Sequence, residues 1–171
     1  TGVGDLNFAY VTSSETDIAS GDKYYGYVTD ISSVKNSDNK TVYEYTMWTD
    51  KGETVLKTEA GLSGASDVKK NSILAYKLNS DGEISNVKAD TVKEGAVAKI
   101  SSAFMTVKAS SEDTEDTMYY FDDDVIIVTI ETDETEGVAN GCTYKDIGTA
   151  DGSANNVYYV LNSENEVVFV A

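Results

Sequence analysis

Apolar and polar residues alternate with a period of two along much of this chain, a pattern typical of strands with one buried face. Tyr25, Tyr27 and Ile31 share one side of such a segment, and the segment 125–130 is apolar on both sides. No helical stripe of useful length is present, and only 62–70 and 143–147 are predicted to hold helical turns. The pattern predicts strands at 7–12, 24–32, 41–49, 53–59, 73–78, 84–89, 96–101, 104–109, 117–121, 125–131, 157–161 and 167–170.

Three polar segments between these strands have the same turn chemistry. The segments 36–40, 79–83 and 162–166 each begin with Asn and carry Asn or Gly in fourth place, at Asn39, Gly82 and Asn165. Both residue types tolerate the positive φ that a type I turn followed by a left-handed residue requires. The segments therefore predict hairpins, with neighbouring strands antiparallel.

An internal repeat organises the chain. Residues 74–87 align without gaps on 157–170, with identical Tyr, Leu, Asn, Ser, Glu and Val at six positions. Upstream, 41–45 resembles 117–121, and 53–59 resembles 126–133. We therefore predict a leading strand or linker at 1–20 and two copies of one module, at 21–90 and 91–171. Five short strands per copy suit a small antiparallel β-barrel of SH3-like or OB-like type, so the predicted fold is all-β with two tandem barrels related by duplication.

Composition excludes several kinds of chemistry. The 171 residues include 30 acidic residues and 13 lysines, with no histidine and no arginine, for a net charge of −17. Without histidine there is no Ser-His-Asp or Cys-His relay. The acidic balance argues against nucleic acid as a partner, and no apolar run is long enough to insert in a membrane. The lone Cys142 has no histidine to activate it and is expected to be a bystander.

Dense carboxylates suggest one metal hypothesis. Asp122, Asp123 and Asp124 are predicted to lie in a turn between two strands, where their oxygens could converge on Ca²⁺. No EF-hand spacing accompanies them. The alternative interpretation is a solvated acidic turn, and no other cofactor is predicted.

Aromatic residues suggest a second hypothesis. Tyr43, Tyr45 and Trp48 cluster in the first predicted module, and exposed aromatic faces can stack on sugar rings. A carbohydrate-binding module for wall or plant polysaccharide is therefore one candidate function. The alternative is that these side chains fill the core. A pair of carboxylates for glycoside hydrolysis exists in any chain with 30 acids, but nothing singles out two of them, so we expect no enzyme.

The segments 156–168 and 119–133, together with the Thr-, Asp- and Tyr-rich composition without Arg or Pro, resemble the non-anchoring parts of Gram-positive cell-surface proteins. In particular they resemble clostridial proteins that carry S-layer homology repeats elsewhere. The resemblance implies an extracellular, non-catalytic spacer or display module of a larger surface protein, with other cell-surface or cell-wall components as partners. The helical S-layer homology repeat itself is absent, so its wall anchoring is not transferred to any residue here.

Overall fold

Eleven strands and one short 3₁₀ helix make up the regular part of the computed structural model, which describes residues 23–109, 114–132, 137–147 and 156–171. The prediction of an all-β chain is confirmed. The predicted strand at 7–12 and leading segment 1–20 lie outside the described residues. The strands are β1 Tyr24–Lys35, β2 Thr41–Thr49, β3 Gly52–Lys57, β4 Ser72–Leu78, β5 Ile84–Ala89, β6 Val92–Ile100, β7 Phe104–Lys108, β8 Thr117–Thr132, β9 Gly137–Gly141, β10 Asn156–Leu161 and β11 Val167–Val170, and the helix is Ala65–Asp67.

The chain divides into two compact units, and the division falls between Asp90 and Thr91. The first unit also includes Glu131–Ala139, and the second consists of Thr91–Ile130 and Asn140–Ala171. Among the helices that the structure describes, none is long and apolar enough to cross a membrane.

The first unit is a closed five-stranded barrel. Its strand order is β3-β2-β1-β4-β5, with every neighbouring pair antiparallel. A parallel bridge between Thr58 and Ile84 joins the ends of the sheet, where the Glu59 N–H donates to the Ile84 carbonyl at 2.9 Å. Closure leaves few unpaired edge groups on the sheet. The core inside this unit consists of Val28, Tyr45, Met47, Leu74, Tyr76 and Ile84, capped by Ala65 and Val68.

A β-bulge in β1 corrects one prediction from the alternation. The register between β1 and β2 shifts between Val28 and Asp30. An extra residue in a strand reverses which side the following residues face. Ile31 therefore packs against the core cluster that contains Val28, whereas Tyr27 faces the other side, opposite Trp48. The expectation that Tyr27 and Ile31 share one side is wrong for this reason.

The second unit contains most of a six-stranded sheet of order β11-β10-β6-β7-β8-β9, in which β11 also pairs with β8 in parallel. The last residues of β8 and most of β9 fall in the segment Glu131–Ala139. Its core is formed by Val97, Met105, Val107, Val157, Tyr159, Val167 and Val170. Strand β8 lies between β7 and β9, as expected for a segment that is apolar on both sides.

Strand β8 is continuous, which corrects the prediction of two strands separated by a turn at 122–124. Its first part, up to Tyr120, pairs with β7, and Phe121 pairs with Val167 of β11. The next pair joins Ile126 with Phe169, so four residues of β8 bulge opposite one residue of β11. Asp122, Asp123 and Asp124 lie in this bulge, so these three acidic residues are part of the extended strand and not of a turn.

The predicted hairpin turns are confirmed in their backbone geometry. Asn39, Gly82 and Asn165 have φ of 60°, 77° and 62°, the left-handed conformation that their residue types allow. The predicted helical turn at 62–70 contains the 3₁₀ helix, and in 143–147 the Asp146 N–H closes a turn on the Thr143 carbonyl.

Candidate functional site

The three aromatic residues predicted to bind glycans do not share one face of their strand. Successive side chains of a strand point to opposite sides. Tyr43 and Tyr45 lie on the core side of β2, with ring centroids 6.4 Å apart, while Trp48 lies on the opposite side across from Tyr27. Side chains on opposite faces of a sheet cannot form one stacking platform for a sugar.

Tyr45 is a core residue, which corrects its assignment to an exposed aromatic face. Its side chain is fully buried, and its hydroxyl donates to the Ala65 carbonyl at 2.6 Å. Burial raises the pKa of this phenol. Tyr43 is half-buried against the same core, and Trp48 is also half-buried.

Of the three aspartates predicted to bind calcium, Asp122 has its carboxylate engaged in the hydrogen bonding of the fold. Asp122 is half-buried; its Oδ1 accepts the Asp124 N–H at 3.0 Å, and its Oδ2 accepts the Asn162 amide at 3.2 Å. Asp123 and Asp124 are exposed. Within the described ranges, no group of three or more Cys, Asp or Glu residues is placed to hold a metal ion. The calcium site at Asp122, Asp123 and Asp124 stays a prediction.

Cys142 is partly buried and its thiol is free, without a disulfide bond. Burial raises the pKa of its thiol, and the charge of Asp146 raises it further. A raised pKa lowers the thiolate fraction at neutral pH, and therefore the reactivity of the sulfur.

A cleft in the second unit is the site that sequence reasoning missed. It has a volume of about 310 Å³ and is lined by strands β6, β7, β8 and β10. Its polar and aromatic lining is provided by Lys93, Glu94, Lys108, Thr117, Tyr119 and Tyr159. Cavities of this size with a few convergent polar groups are typical of small-ligand sites.

Two tyrosines and one lysine of the cleft lining are close neighbours. The Lys93 ammonium lies 5.6 Å from the centroid of the Tyr119 ring, within the range of a cation–π interaction. The Tyr119 and Tyr159 centroids are 5.6 Å apart, with the rings tilted by 47°. Burial raises the pKa of Tyr159, and the neighbouring Tyr119 raises it further, so the Tyr159 phenol remains a protonated donor at neutral pH.

Strand pairing brings these residues together from distant parts of the sequence. Lys93 is opposite Tyr159 in the pairing of β6 with β10, and Tyr119 is opposite Met105 in the pairing of β7 with β8. Lys93 lies near the start of the second predicted module, 91–171. The sequence holds no local motif that would have identified the cleft.

Comparison with protein-family models, with curated proteins and with solved structures finds no match to this chain.

Proposed function

We propose that the chain consists of two copies of one small β-barrel module and is a non-catalytic structural or display part of a larger extracellular surface protein. Its partners would be other components of the cell surface or cell wall. The observation that carries this proposal is the agreement, residue by residue, between the strand pairings of the two units.

Strand pairing supports the duplication. β1 pairs with β2 and β4, and β6 pairs in the same way with β7 and β10. β3 and β5 continue the first sheet, as β8 and β11 continue the second. Each sheet is closed by a parallel contact, between Thr58 and Ile84 in one unit and between Phe121 and Val167 in the other.

The β-bulges and register shifts of the two units also fall at matching positions. The bulge between Val28 and Asp30 corresponds to a shift between Val97 and Lys99, and the shift after Lys77 corresponds to the one after Val160. Bulges are specific local features, so their recurrence at matched positions favours common descent over independent formation.

Side-chain hydrogen bonds recur at the final hairpins. The Asn79 side-chain oxygen Oδ1 accepts the backbone N–H groups of the residues two and four positions later, and the side-chain amide nitrogen donates to Glu59 at 2.8 Å. Asn162 repeats both backbone contacts, and its amide donates to Asp122. Glu59 and Asp122 each follow directly on the residue that closes its sheet.

This correspondence revises part of the sequence alignment. The match of 74–87 with 157–170 agrees with the pairing of β4–β5 and β10–β11. The match of 41–45 with 117–121 does not, because β2 corresponds to β7, and the start of β8 corresponds to β3. Similar Thr- and Tyr-rich composition in different strands explains the misleading resemblance.

The positions of the residues that agree between the two units support a structural role. They form cores, bulges and hairpins that stabilise each barrel, while the surface carries the excess of acidic residues that keeps neighbouring copies apart. The extracellular setting is supported by the resemblance of the sequence to surface-protein modules.

Replacing residues 23–171 in the full-length protein with two unrelated β-barrels of similar size would test this function. A spacer or display role predicts that antibody against a remote epitope still labels intact cells at the original level. Loss of labelling, with the protein still synthesised and folded, would contradict a purely structural role. An antibody against the chain that labels cells only after permeabilisation would contradict the extracellular setting.

Saccharide binding is the second candidate function, favoured by the cleft of the second unit. The predicted platform of Tyr43, Tyr45 and Trp48 is not assembled, but the cleft combines two tyrosines with charged and hydroxyl side chains. Recognition of a sugar ring requires an aromatic face for stacking and polar groups for hydrogen bonds to its hydroxyls.

A further inference from the structure

The first unit fills the position that is a cleft in the second. Tyr24 is opposite Tyr76 in the pairing of β1 with β4, and the two rings stack with centroids 5.7 Å apart and planes at 28°. Leu56, opposite Tyr45, packs against the same core. In the first unit, the side chains of Tyr24 and Leu56 therefore pack against the core at the position that corresponds to the cleft.

Two replacements distinguish the second unit at this position. The residue that corresponds to Tyr24 is Lys93, opposite Tyr159, and the residue that corresponds to Leu56 is Tyr119, opposite Met105. Lys93 is exposed, although it precedes Gly95 and the core residue Val97 on the same side of β6. The second unit thus has a polar, open cleft where the first has packed apolar carbon, and it buries less apolar area there.

The charge of this cleft is unlike that of the rest of the second unit. Residues 91–171 contain four lysines and sixteen acidic residues. Among the residues that the structure describes, two of those four lysines, Lys93 and Lys108, line the cleft, together with one acidic residue, Glu94. A local excess of positive charge in a negative unit favours an anion at this place.

We infer that the cleft binds a saccharide that carries a carboxylate, such as a uronic acid, with Lys93 facing the carboxylate. The ring would lie against Tyr119, and the tyrosine hydroxyls and Thr117 would bond to its hydroxyl groups. The volume of about 310 Å³ accommodates one or two sugar rings. This inference rests on the saccharide-binding candidate function and is independent of the structural role.

A titration of the ¹⁵N-labelled chain with galacturonate, followed by amide chemical shifts, tests the inference. Galactose is the matched neutral probe, because it differs by having a hydroxymethyl group in place of the carboxylate. Saturable shifts confined to the amides around Lys93, Thr117, Tyr119 and Tyr159 are expected with galacturonate, and at least tenfold weaker binding with galactose. Raising the salt concentration from 50 to 500 mM should weaken galacturonate binding, since exposed charge pairs are screened.

Two variants and one control make the test specific. Lys93→Met removes the ammonium but keeps the chain length, and Lys93→Tyr introduces the residue found in the first unit. Each should weaken galacturonate binding at least tenfold. Lys99→Met, at an exposed lysine of the same strand that does not line the cleft, should leave it unchanged. Unchanged spectra outside the cleft verify that each variant is folded.

Trigalacturonate distinguishes a polymer site from a site for the free sugar, since only a polymer site should bind the trimer more tightly than the monomer. Equal responses to galacturonate and galactose, or equal affinities in the Lys93→Met and Lys99→Met variants, would overturn the inference. Failure of the cleft to bind would leave the barrel-replacement result unaffected, so the two proposals fail separately.

Discussion

Individual glycines set the distance between strands in both units. A Cβ on Gly95 would lie 2.1 Å from Val107 Cγ1 and 2.7 Å from the Lys108 carbonyl oxygen. In the first unit, a Cβ on Gly26 would lie 2.8 Å from Met47 Sδ and 3.3 Å from the Trp48 carbonyl oxygen. Neither glycine has a positive φ, so close approach of the neighbouring strand excludes a side chain there.

Gly95→Ala should lower the free energy of unfolding by about 1–3 kcal/mol, because the new methyl group overpacks a buried strand pair. Gly26→Ala should cost less, since the end of the Met47 side chain can shift more easily than a backbone carbonyl. Urea unfolding of both variants and of Lys99→Ala, an exposed position on β6, measures the difference. Equal stability of Gly95→Ala and Lys99→Ala would contradict the packing explanation.

Buried phenols make the fold sensitive to alkaline pH. Burial raises the pKa of Tyr27 and of Tyr76 to about 12, above the value of about 10 for an exposed tyrosine. Between these values the unfolded chain releases protons that the folded chain retains, so stability falls as the pH rises. We expect a lower urea midpoint at pH 11 than at pH 8.5.

Tyr27→Phe separates this effect from general charge repulsion. The Tyr27 hydroxyl is buried, and in the described part of the chain it has no hydrogen-bond partner. Its removal should leave stability at pH 8.5 unchanged or raise it by about 1 kcal/mol, and should reduce the loss between pH 8.5 and 11. An alkaline loss as large as that of the original chain would exclude Tyr27 as a contributor.

Hairpins are the elements that sequence predicted best, because their turn chemistry is local. The Asn36 side-chain oxygen Oδ1 accepts the backbone N–H groups of Asp38 and Lys40, and Oδ1 of Asn79 accepts the equivalent two bonds. Only Asn79 also donates its amide to Glu59, twenty residues away. That long-range contact ties the hairpin of β4 and β5 to the closing edge of the barrel.

Asn79→Ala should therefore cost more than Asn36→Ala, with an expected loss of about 2 kcal/mol against about 1 kcal/mol. Thermal or urea unfolding of the two variants provides the comparison. Glu59→Gln keeps an acceptor for the Asn79 amide and should be mild by comparison. Equal losses for Asn79→Ala and Asn36→Ala would show that the contact with Glu59 contributes nothing measurable.

At the scale of the whole molecule, charge opposes the compact state. A net charge of −17 on 171 residues produces self-repulsion that salt screens. We expect the melting temperature to rise with sodium chloride. Simple screening predicts an equal rise with calcium chloride at matched ionic strength. A larger rise with calcium at micromolar to millimolar concentration would instead support a calcium site at Asp122–Asp124.

Most strands of the fold were predictable because alternation and turn residues are local signals. The errors fall where pairing with another strand decides the outcome. The bulge after Val28 reversed the side that Ile31 faces, and the bulge at 122–125 preserved one strand where the acidic residues suggested a turn. β9 was not predicted at all, since its sequence Gly-Val-Ala-Asn-Gly has weak strand character.

The candidate site was not predictable by the same reasoning. Lys93, Tyr119 and Tyr159 come from three strands spread over 67 positions, and each is unremarkable in its own segment. Tyr45 showed the converse: it was conspicuous in the sequence, yet the fold buries it completely.

The amino-acid sequence by itself determined the β class, the hairpin turns, the absence of imidazole and guanidinium chemistry and the acidic surface, because composition and short-range periodicity act within a few residues. Tertiary structure alone decided which side chains face the core, where the strands bulge and which distant residues line the cleft. Those outcomes depend on hydrogen-bond register between strands, and a shift of one residue in register reverses the side of every residue that follows.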